Sequence, residues 1–125
     1  MSFAETNEGQ EAEVALRAGY QYSYALTLAS ATAGAFPYTL SGQDQRLIEF
    51  NMTGGVGSFL LPAIPDDFMD FEFQEIGGSA TALTINGNGK LIEGSATLVM
   101  NAPGQVRKLR YSPTAGQWKI VGGYL

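Results

Sequence analysis

The sequence predicts an all-β chain, an antiparallel two-sheet sandwich of jelly-roll type, and two observations lead there. Large apolar residues recur at every second position in short runs, which is the period of a strand with one buried face. Between the runs stand clusters of glycine, asparagine, proline and serine, about 8–12 residues apart, the spacing of sandwiches and barrels. At 125 residues the chain has the length of one domain, large enough to bury a substantial core.

The elements follow in order. Residues 1–19 are acidic and short of large apolar side chains. They form either an extended N-terminal arm or a short helix over "EAEVALRAG", with Glu11 and Glu13 near its start and Gly19 as its stop. The sandwich domain takes residues 20–125. Its first strand is "YQYSYALTL", with Tyr20, Tyr22, Tyr24, Leu26 and Leu28 on one side. The same parity groups Ile48, Phe50 and Met52, then Met69, Phe71 and Phe73 against Asp70, Glu72 and Gln74. Leu83 with Ile85, Leu98 with Met100, Leu109 with Tyr111, and Trp118 with Ile120 complete the series. The "NGNG" at 86–89 reads as a hairpin turn, because type I′ turns need positive φ at both central residues and Asn-Gly supplies it. "EGSA" at 93–96 then reverses the chain again.

Composition removes several classes of chemistry. The chain has no cysteine and no histidine, so disulfides, thiolate zinc sites and Ser-His-Asp or Cys-His catalysis are excluded. The N-terminus has neither the basic start nor the apolar run of a signal peptide. No segment approaches the roughly 20 apolar residues that span a bilayer. The expectation is a soluble chain made in the cytoplasm, without membrane contact.

The net charge of −5 opposes general nucleic-acid binding, which rests on neutralising phosphates. Its distribution says more. Residues 1–75 hold eleven of the twelve acids with only Arg17 and Arg46, whereas residues 76–125 hold Glu93 against Lys90, Arg107, Lys108, Arg110 and Lys119. Such a split means either that one half faces the other, within a chain or between neighbours, or that both are solvated.

Four groups of residues could carry chemistry. "PDDFMDFEFQE" gathers Asp66, Asp67, Asp70, Glu72 and Glu75, but without an EF-hand spacing it reads first as a solvated strand face. A weak cation site, or a surface for a neighbour's basic face, is the alternative. "NGNG" lacks the context of a phosphate loop. Arg107, Lys108 and Arg110 are candidate protein-contact residues on one strand. Trp118 and the row Tyr20, Tyr22 and Tyr24 read as core or as a subunit interface, with sugar stacking as the alternative. No catalytic residue, metal site or cofactor is expected.

The second half resembles a β-module found widely in virion proteins of tailed bacteriophages. The likeness lies in Leu60-Leu61-Pro62-Ala63, Leu83-Thr84-Ile85 with Gly87 and Gly89, Ile92-Glu93-Gly94, Leu98, Tyr111 and Gln117-Trp118-Lys119-Ile120. It covers about half the chain and consists mainly of turn glycines and core aliphatics. The resemblance implies a non-enzymatic virion structural protein, either a jelly-roll capsid decoration (cement) protein or a β-sandwich module of a tail fibre. The chain shows no shaft, coiled-coil heptad or triple-helical repeat, which favours decoration. The implied partners are the major capsid protein and further copies of the chain, as a dimer or trimer, and the implied location is the capsid surface. The alternatives are a receptor- or glycan-binding tail tip using Trp118 and exposed tyrosines, and a carboxylate-only glycan hydrolase. The latter needs two acids facing each other about 5–10 Å apart in a cleft, drawn from Asp66, Asp67, Asp70, Glu72 and Glu93.

Overall fold

The computed structural model describes residues 25–124, and among these every regular element is a strand. The strands are β1 (Ala25–Ala29), β2 (Tyr38–Thr39), β3 (Leu47–Asn51), β4 (Gly57–Leu60), β5 (Asp70–Glu75), β6 (Leu83–Asn86), β7 (Thr97–Met100), β8 (Val106–Ser112) and β9 (Gln117–Tyr124). They form a five-stranded sheet of order β9-β8-β5-β3-β1 and a four-stranded sheet of order β2-β4-β6-β7. The expected N-terminal arm or helix, and the tyrosines at 20, 22 and 24, lie outside the described residues.

The chain reaches this order by winding. From β1 to β6 each successive strand belongs to the other sheet, so each return to a sheet runs in the same direction as the last visit. β1 pairs with β3, β3 with β5, β2 with β4 and β4 with β6, all in parallel. After β6 the winding stops. β7 folds back antiparallel on β6, β8 crosses to lie antiparallel on β5, and β9 closes a hairpin with β8. The two-layer all-β architecture agrees with the reading of the sequence, and the pairing corrects it. Four of the pairings are parallel, so the sandwich is mixed where an antiparallel, jelly-roll-like one was expected. Alternation of apolar residues records which side is buried and carries no information on strand direction.

The core lies between the sheets and is built mainly of residues that the alternation points inward, with Leu40, Leu61 and Ile92 added from outside the strands and Ile120, grouped with Trp118 by parity, left exposed. Ile48, Phe50 and Met52 from the region of β3, Phe71 and Phe73 from β5, Leu83 and Ile85 from β6, Leu109 and Trp118 are all fully buried. Phe59 of β4 is the hub. Its ring stands 5.4 Å from Phe73 and 6.4 Å from Phe50 across the layer, and 5.3 Å from Phe36 in an edge-on contact. Such tilted pairs add to the stabilisation from burial alone.

The turns form where the sequence places them. Asn88 and Gly89 have φ of 54° and 97°, and the Lys90 N–H donates to the Gly87 carbonyl at 3.2 Å, the geometry of a type I′ turn. A second tight reversal follows at Glu93 and Gly94, with φ of 49° and 82°, closed by the Ser95 N–H on the Ile92 carbonyl at 3.0 Å.

Candidate functional site

The outer face of the five-stranded sheet collects four of the charged residues read from the sequence, Asp70, Glu72, Lys108 and Arg110. Along β5 the side chains of Asp70, Glu72 and Gln74 alternate with buried Phe71, Phe73 and Glu75 and so point outward. On the neighbouring strand β8, Lys108 and Arg110 alternate with buried Leu109. Register sets Asp70 directly opposite Arg110, Glu72 opposite Lys108, and Lys119 of β9 opposite Arg110. The Arg110 guanidinium lies 3.6 Å from the Asp70 carboxylate. The acid-rich strand and the basic strand, remote in sequence, thus face each other within one chain.

Over β5, between its neighbours β8 and β3, lies a shallow depression of about 180 Å³ lined by Arg46, Leu47, Asp70, Glu72 and Lys108. Asp70 and Glu72 are two residues apart on the one strand β5, between Lys108 on one flank and Arg46 and Leu47 on the other. Glycoside hydrolysis needs two carboxyl groups on opposite sides of the scissile bond, and this arrangement does not provide them. Asp66 and Asp67 are exposed on the connection before β5, and Glu93 belongs to another loop. Among the described residues no group of three or more acids converges as metal ligands would.

The remaining candidates separate. Arg107 is half-buried and donates from Nη1 to the Val106 carbonyl at 2.9 Å. Trp118 is fully buried, 6.1 Å from the ring of Phe71 and 5.6 Å from that of Tyr111, so it belongs to the core and not to a contact surface. Its position opposite Tyr111 puts it on the inward side of β9, which corrects its place among the candidate contact residues.

Two glutamates matter more than their sequence context suggests. Glu75, grouped in the sequence with the outward acids, points inward and is only 6% exposed. Its parity with Phe71 and Phe73 is the signal for that. The carboxylate accepts the N–H groups of Gly77 at 2.7 Å, Gly78 at 2.9 Å and Gly104 at 3.0 Å. It therefore ties the loop after β5 to the loop before β8. Burial alone would raise its pKa, but the N–H groups of Gly104, Gly77, Ser79 and Gly78 outweigh burial and hold the carboxyl below its ordinary value. A side chain on Gly77 would run into the Asn51 side chain and crowd the Glu75 carboxylate, so a larger residue here would displace them.

Glu93, in the second tight turn, reaches across to the edge of β9. Its carboxylate accepts the Lys119 ammonium at 2.9 Å and the Ile120 N–H at 2.9 Å. The hydrogen bond from Lys119, followed by that from Ile120, holds its pKa below the ordinary value. The Glu93 N–H donates to the Trp118 carbonyl at 2.9 Å, and the Trp118 N–H donates to the Leu91 carbonyl at 2.8 Å. The loop from 87 to 96 thus covers the edge of the five-stranded sheet.

Large apolar side chains remain exposed in the connections. Ile64 is 91% and Phe68 64% exposed, both between β4 and β5. Phe68 has φ of 60°, an uncommon conformation for a bulky residue, held by its N–H on the Tyr111 carbonyl at 3.1 Å. The Met69 N–H donates to the Asp66 carbonyl at 3.2 Å, closing the turn that carries it. These positions were not singled out by alternation, since they lie between strands.

Neither a family model nor a curated protein matches the chain. Among solved structures, a chain from "Structure of a chaperone-substrate complex" is similar to it, with a TM-score of 0.49 and 18% identity, over 83% of this chain and 18% of that one. The chain spans less than a fifth of that neighbour's length, and a likeness at this level carries no argument about function.

Proposed function

We propose that the chain is a non-enzymatic structural protein of a bacteriophage particle, a decoration protein that binds the outer capsid surface and stiffens the shell through contacts with the major capsid protein and with its own copies. The observation that carries this reading is the exposed pair Ile64 and Phe68, presented on a backbone pinned by Phe68, Met69 and Tyr111. Exposed apolar side chains, with Phe68 held at a cost in backbone strain, suit a protein contact, where aromatic anchors supply much of the affinity. Asp70 and Arg110 pair with each other across β5 and β8, so the exposed apolar side chains of the connections are taken as the adhesive parts. The sequence likeness to phage β-modules supplies the setting.

The test uses particles with and without the protein. Microscopy is expected to place it over the capsid shell, and particles lacking it should lose infectivity at a lower temperature. Ile64→Ala with Phe68→Ala should weaken attachment while leaving the purified chain folded. Equal heat resistance with and without the protein, or a location confined to the tail, would refute the proposal.

A further inference from the structure

The sandwich has its sheet edges at β1, β2, β7 and β9, and they are not equally protected. β9 is irregular between Ile120 and Gly122, carries Lys119, and is covered at Trp118 and Ile120 by the loop containing Glu93. β2 is two residues long. β1 follows residues outside the described part, and Ala25 is already engaged. β7 has none of these devices except modest length. Residues 94–105 contain no charge, β7 itself reads Thr-Leu-Val-Met, and Val99 is 46% exposed. Unprotected edges of this kind template pairing with another strand.

Backbone geometry defines which groups are on offer. The Gly87 N–H bonds the Ala96 carbonyl at 3.0 Å. In an antiparallel ladder hydrogen-bonded pairs alternate with non-bonded ones, so Ile85 with Leu98 and Leu83 with Met100 are bonded pairs. The N–H and C=O groups of Thr97 and Val99 then point away from β6, toward solvent.

We propose that β7 pairs antiparallel with β7 of a second copy about a two-fold axis through Leu98. Thr97 of each copy then lies opposite Val99 of the other, and the two exchange N–H···O=C bonds in both directions. Every outward group of these residues is satisfied without shifting the register, which is the self-complementarity a two-fold interface requires. Leu98, half-buried and packed against the core, meets its counterpart across the axis and loses its remaining exposure. The segment's lack of charge matters in a chain of net charge −5, because two copies can approach here without opposing like charges. The nearest acid in sequence, Glu93, is held by Lys119. The pairing is a property of the purified chain and holds wherever the protein resides.

Sedimentation equilibrium of the full chain over a wide concentration range tests this. The expected result is a monomer–dimer equilibrium. Changing Thr97→Lys together with Val99→Lys places lysines opposite each other and should raise the dissociation constant about tenfold or more, with circular dichroism unchanged. Val99→Pro, which removes an outward N–H and no ladder bond, should do the same. Ser58→Lys, on the same sheet face but away from the edge, should leave the dimer intact. In hydrogen exchange, the Thr97 and Val99 amides should slow as concentration rises. A chain that stays monomeric at millimolar concentration, a trimer, or a dimer undisturbed by both edge variants would overturn the proposal.

Discussion

Replacing Glu75 by glutamine tests whether a buried carboxylate, rather than a hydrophobic contact, fastens the two loops at this end of the sandwich. In the native chain one carboxylate oxygen accepts Gly77 and the other accepts Gly78 and Gly104. A glutamine that keeps its oxygen toward Gly78 and Gly104 turns its amide toward the Gly77 N–H, donor against donor. It also converts the two surviving bonds from charged to neutral. Hydrogen bonds to charged groups contribute about 1.5–3 kcal/mol each, so a net loss of about 2 kcal/mol is expected for Glu75→Gln. Glu75→Ala, which leaves every one of these N–H groups without its acceptor, should cost about 4 kcal/mol. For a domain of this size the glutamine variant should melt roughly 6–10 °C lower at neutral pH. The pH dependence has a definite sign. Burial raises the Glu75 pKa, the N–H groups around it lower it by more, and the folded value lies below the unfolded one. The stabilisation is therefore complete above the unfolded-state pKa and is lost as pH falls through the folded one. Melting measured from about pH 7 down to about pH 3 should show the gap between wild type and Glu75→Gln closing toward acid. Equal melting temperatures at neutral pH, or a gap that does not shrink, would refute the argument.

Phe59→Ala removes the ring that both sheets pack on and should cost about 3–5 kcal/mol, read as a fall in the urea midpoint with an unchanged slope. A loss below about 1 kcal/mol would mean that the layer collapses around the gap. Glu93→Ala should release the loop from the edge of β9, seen as faster hydrogen exchange at the Ile120 amide with little change in overall melting. Lys119 and Ile120 hold the Glu93 carboxyl below its ordinary pKa, so the wild-type Ile120 amide should acquire the same faster opening only once pH falls through that lowered value.

Much of the fold was legible because burial imposes a period that sequence retains. Ile48, Phe50 and Met52, and likewise Phe71 and Phe73, were grouped by parity and all are buried. Asn88-Gly89 marked its turn because few other pairs accept positive φ twice in succession. Strand direction was not legible, since a strand paired in parallel and one paired antiparallel show the same alternation. It depends on which sheet the chain visits next, and loops such as 41–46 do not encode that locally. Glu75 was misplaced because it was read with the acids beside it in sequence, although its parity matched the buried phenylalanines. The candidate contact surface was less legible still. Trp118 followed the alternation into the core, while Ile64 and Phe68 lie in a connection where no period applies.

The division of charge along the sequence acquires a structural meaning from the winding. The wound part of the chain and the hairpin part meet in the five-stranded sheet only where β5 lies against β8, and that is where Asp70 faces Arg110 and Glu72 faces Lys108. Asp70 and Arg110 form a half-exposed ion pair, their side chains being 32% and 44% accessible, while Glu72 and Lys108 face each other in the register, and each such facing is expected to contribute less than about 1 kcal/mol. Their role lies in choosing among registers. A slip of one residue is already forbidden, because it would turn Leu109 and Phe71 outward. A slip of two residues preserves the buried face, and the core does not resist it in the same way. It would set Asp70 opposite Lys108 and leave Glu72 opposite Val106, breaking half the ladder. Arg110→Asp should therefore lower stability by only about 1 kcal/mol while slowing or splitting the refolding phase, and adding Asp70→Arg should restore a single phase. Refolding of Arg110→Asp as a single phase at the wild-type rate would show that the loops, and not these charges, set the register.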